Sequence, residues 1–132
     1  MKKICFKGTF YTISFDAMSG RIKEKLSTEE LQKYLELLNN FTSWLNEKNK
    51  NSKDDVSAAC NDYLKVLGYI GLAHSWLKIL KVSYEKLNTN KSFFEDKINT
   101  ATYYFDKILP RVQSHYLSAT TGSTSMMKAK FN

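Results

Sequence analysis

Residues 55–87 form one long stretch of helical periodicity that no proline interrupts. Val56, Cys60, Tyr63, Leu67, Ile70, His74, Leu77, Leu80, Tyr84 and Leu87 recur at steps of three and four, which keeps them on one helical face. Val66, Tyr69, Leu72, Ala73 and Trp76 fill other angles, so the middle of this helix is predicted to be surrounded on several sides, as a central bundle helix is. Two glycines, Gly68 and Gly71, sit in that middle, and each costs a helix roughly 1 kcal/mol against alanine. Together with Ser75 they make a column of small residues on one face. The spacing predicts that another helix of the bundle approaches closely along this column, with Trp76 as a bulky anchor beside it.

The flanking segments supply partners for such a helix. Ser27 and Glu30 have capping-box spacing before the stripe Leu31, Tyr34, Leu35, Leu38, Phe41 and Leu45, which predicts a first amphipathic helix. NEKNKNSKDD, residues 46–55, contains no apolar residue and reads as a loop whose acidic end favours the next helix N-terminus. LNTNKS, 87–92, reads as a turn, and Ser92 with Glu95 repeats the capping-box spacing. A third helix follows through Phe94, Ile98, Ala101, Phe105, Leu109, Val112 and Tyr116, with Pro110 well inside it to remove a hydrogen bond and bend the axis. The run 119–123 breaks the pattern, and residues 123–131 can form a last short helix. Short connections favour antiparallel neighbours. The predicted fold is all-α: an up-down bundle of three long helices plus a short C-terminal helix, over residues 27–132. Residues 1–26 are left as an ill-defined arm, because ICFKGTFYTISF has strand composition and one short strand lacks an obvious partner.

The chain has 132 residues, which suits a single domain. Its net charge of +7 raises nucleic acid, acidic lipid or a phosphorylated ligand as partners. Basic residues are spread evenly, however, and KNKNSK, 48–53, is the one local cluster and has the composition of a solvated loop. Nucleic acid is therefore disfavoured. Cys5 and Cys60 make neither a CxxC pair nor a disulfide framework, so a reducing cytoplasm is the expected location. The polar alternation after Lys2 and Lys3 does not resemble a signal peptide, and the apolar window 66–77 is too short to cross a bilayer.

A search for catalytic chemistry gives bland readings. His74 lies on the apolar face of the second helix and reads as a neutral, hydrogen-bonded core histidine, while His115 reads as a histidine favoured by a helix C-terminus. Cys60, His74 and His115 lack a zinc-ligand spacing. Asp54-Asp55 and Glu95-Asp96 fall at helix starts, where capping explains them. No Gly-rich phosphate loop and no Ser-centred nucleophile motif occurs. Most Tyr and Phe residues fall on the helix stripes, as core does, and Met126-Met127 either meet a partner or cover the bundle end.

One pattern is more specific. Phe93-Phe94, Lys97, Thr100-Ala101, Tyr103-Tyr104 and Leu109-Pro110 follow Tyr63-Leu64, Gly68 and Trp76-Leu77, and precede Gly122 and Met126-Met127. This order resembles the C-terminal helical domain of large bacterial acyl-CoA dehydrogenases, and FTSWL, 41–45, fits it too. Thr102 stands where members of that family usually carry a basic residue. The resemblance spans about residues 28–131. It implies a flavin-dependent parent enzyme whose FAD and catalytic glutamate belong to a separate core that nothing in this chain resembles. It therefore implies no catalytic, cofactor-binding or metal residue here, and leaves Gly68, Gly71, Ser75, Trp76 and Pro110 as helix-packing positions. The expectation is a non-catalytic accessory domain of an acyl-CoA dehydrogenase, docked on its core or self-associated. The rivals are an independent interaction module, a nucleic-acid binder and a stand-alone dehydrogenase.

Overall fold

A computed structural model describes residues 2–6, 9–13 and 28–130 of the protein. Among these, α1 spans Thr28–Asn51 and α2 spans Lys53–Glu85. The third rod is composite: α3 (Lys91–Tyr103), a π-helical turn (Tyr104–Ile108) and α4 (Arg111–Thr120). A short α5, Thr124–Met127, follows. The bundle is the up-down arrangement of three long rods and a short C-terminal helix that the periodicity predicts, with α2 at its centre against α1, α3 and α4.

Several local expectations are corrected. The strand-like arm does find a partner, and finds it within itself. β1 (Lys2–Phe6) pairs antiparallel with β2 (Thr9–Ile13), Ile4 opposite Tyr11, and β1 runs alongside α1. The Ser27 capping box lies outside the described residues. Residues 46–55 are not a loop, because α1 continues to Asn51 and only Ser52 separates it from α2. Lys, Glu and Asn in that run are tolerated in an exposed helix. The break is made by Ser52, whose extended backbone lets its hydroxyl oxygen accept from Asp55 N–H at 3.3 Å. At α3 the cap is Asn90, accepting from Phe93 N–H at 3.3 Å, rather than Ser92.

The bend near Pro110 also has a more specific cause than the proline alone. Leu109 N–H bonds to Tyr104 O at 3.0 Å, five residues back, so the helix widens by one residue before Pro110 begins the next segment. The wide turn accommodates the missing proline donor and re-phases the helix. Consequently Tyr104 and Leu109 point into the bundle while Pro110 stays exposed.

The core centres on Phe41, Val66 and Val112, which are fully enclosed. Phe41 meets Tyr63, Tyr116 and Trp44 edge-on, with ring centroids 5.0, 5.4 and 6.2 Å away. Such edge contacts add about 0.5–1.5 kcal/mol each beyond area burial. A second cluster joins Leu31, Leu77, Leu80 and Ala101 toward the other end of α2.

Candidate functional site

Polar side chains that cross between helices are the groups best placed to carry chemistry. Asp55 Oδ1 accepts from Ser123 N–H at 2.8 Å and from Ser123 Oγ–H at 2.7 Å, and Lys48 Nζ lies 3.4 Å from Oδ2. The Ser123 hydroxyl and amide, followed by Lys48, hold this carboxyl at about 2 against an ordinary 3.8. The chain reaches Asp55 because Gly122 takes a left-handed φ of 79°, with the site of any Cβ only 3.1 Å from Asp55 Oδ1. This arrangement latches the start of α5 onto the α1–α2 junction. The pair Asp54-Asp55 is thus only partly a helix-start device.

His115 Nδ1 lies 2.8 Å from Asp62 Oδ1, and its ring stacks on Tyr69 with centroids 5.7 Å apart, so α4 is pinned to α2. Nothing in the sequence spacing announces this pair, whose members are 53 positions apart. Tyr104 Oη–H donates to Tyr69 O at 2.6 Å, and burial, then the neighbouring Tyr69, pushes the phenol up to about 12. His74 is half-buried, and desolvation, then the Lys78 charge, lowers its pKa and favours the neutral ring. Among the described residues, no group of three or more His, Cys, Asp and Glu side chains could hold a metal, and Cys60 is a free thiol. Each bridge joins one helix to another element of the bundle.

The second candidate is the outer face of α2. Leu64, Leu72, Ile79 and Val82 are 68%, 52%, 38% and 44% exposed, large apolar residues on the side opposite Val66, Ile70, Ala73 and Leu77. Gly68 and Gly71 lie among them. Among the described residues, a Cβ built on either glycine meets nothing within 4 Å. The small-residue column therefore meets no other helix among the described residues, in place of the close helix approach expected along it. Ser75 is likewise exposed, with Oγ–H turned back to Gly71 O at 3.2 Å. Periodicity gives the face on which these residues lie but not what stands opposite it. Trp76 does pack inward, touching both core clusters and the Tyr104 ring at 6.3 Å.

At its C-terminal end this face runs into an open apolar groove of about 370 Å³ between α2 and α3. Trp76, Ile79, Val82, Phe93 and Phe94 line it, together with Lys78 and Lys97, whose Nζ lies 5.2 Å from the Phe93 ring centroid. Met126 and Met127 are also exposed, at the far end of the chain.

The model of the family described as acetyl-CoA dehydrogenase C-terminal like matches residues 14–130. The chain belongs to this family. Membership extends across the three long rods and into the segment ahead of them, and so includes both the aromatic core and the open face of α2. No curated protein and no solved structure matches the chain. No described helix is long and apolar enough to cross a membrane.

Proposed function

We propose that this bundle is a non-catalytic accessory domain of a flavin-dependent acyl-CoA dehydrogenase, working beside a core that oxidises fatty acyl-CoA. The observation that carries the reading is the family match over residues 14–130. The structure supports it through the use made of its polar groups: Asp55, Asp62, His115, Tyr63 and Tyr104 each fix one element against another. The core carries the flavin and the base that removes the substrate proton, whether in the same polypeptide or in a separate one. The accessory domain supplies a rigid body and a contact surface. A reducing cytoplasm suits the free, exposed Cys60 thiol.

The test is to recover the tagged chain from its own cells and read the flavin absorbance of the eluate. A yellow eluate with stoichiometric flavin supports the reading, whether the flavin arrives on the same polypeptide or on a second chain. A colourless eluate that holds this chain alone, and takes up no added flavin, overturns it.

A further inference from the structure

We draw no further inference here: the strongest candidate, the open apolar groove between α2 and α3 lined by Trp76, Ile79, Val82, Phe93 and Phe94, continues the exposed outer face of α2, and nothing in the structure shows what covers it.

Discussion

The two sides of α2 are both apolar, but they meet different surroundings. On the inner side Val66, Ile70, Ala73 and Leu77 are enclosed by the other rods, and polar groups that approach them are tied off, as Tyr104 is to Tyr69 O. On the outer side Leu64, Leu72, Ile79 and Val82 face outward over two glycines with open Cβ positions. Apolar residues around the whole circumference of a helix imply that it is to be surrounded, but not that one chain does all the surrounding. The inner face accounts for the fold, and the outer face leaves large apolar side chains exposed among the described residues.

The comparison is broken most forcefully from the inside. Phe41→Ala removes a fully enclosed ring with three aromatic edge contacts and is expected to lower stability by about 3–5 kcal/mol in denaturant unfolding. A loss as small as that of a surface substitution would mean that the aromatic cluster does not hold the rods together. Gly122→Ala comes next. A side chain in the left-handed conformation, crowded by Asp55, is expected to cost about 1–2 kcal/mol and to loosen the C-terminal latch, which proteolysis of the last residues would report.

Two substitutions are expected to stabilise, for opposite reasons. Tyr84 Oη is buried without a hydrogen-bond partner among the described residues, so Tyr84→Phe is expected to gain about 1 kcal/mol from the inner side. Gly68→Ala is expected to gain slightly less, about 0.8–1 kcal/mol, because the added methyl improves helix propensity and meets nothing among the described residues. If Gly68→Ala destabilised the chain, the distinction between the two faces would fail. A last effect appears only in acid. The folded pKa of Asp55, about 2, lies below its ordinary 3.8, so the latch contributes fully above about pH 4 and is lost as pH falls through 2. Asp55→Asn is expected to remove that part of the acid dependence of unfolding.

The amphipathic stripes made the three rods and their order legible, because apolar spacing is a local signal that survives without knowledge of neighbours. The pattern from Phe93 to Pro110 made the family legible in the same way. Contacts between distant positions were not legible. Ser123 and Asp55 are 68 positions apart, and His115 and Asp62 are 53 apart, so neither pair leaves a spacing to read. The β1–β2 hairpin is not legible because the run ICFKGTFYTISF reads by composition as a single strand. The displaced cap at Asn90 and the one-residue break at Ser52 show how a single side-chain hydrogen bond moves a helix end within a polar run. For Gly68, Gly71 and Ser75 the shared face was legible and its direction was not. Small residues are equally compatible with a neighbour inside the chain and one outside it.

The contrast between the two faces of α2 is tested most directly by denaturant unfolding of Ile70→Ala beside Leu64→Ala. Ile70 is enclosed by the other rods, so Ile70→Ala is expected to lower stability by about 2–5 kcal/mol. Leu64 is exposed, so Leu64→Ala is expected to change it by no more than about 0.5 kcal/mol. Equal losses at the two positions would contradict an inner face that alone holds the bundle together.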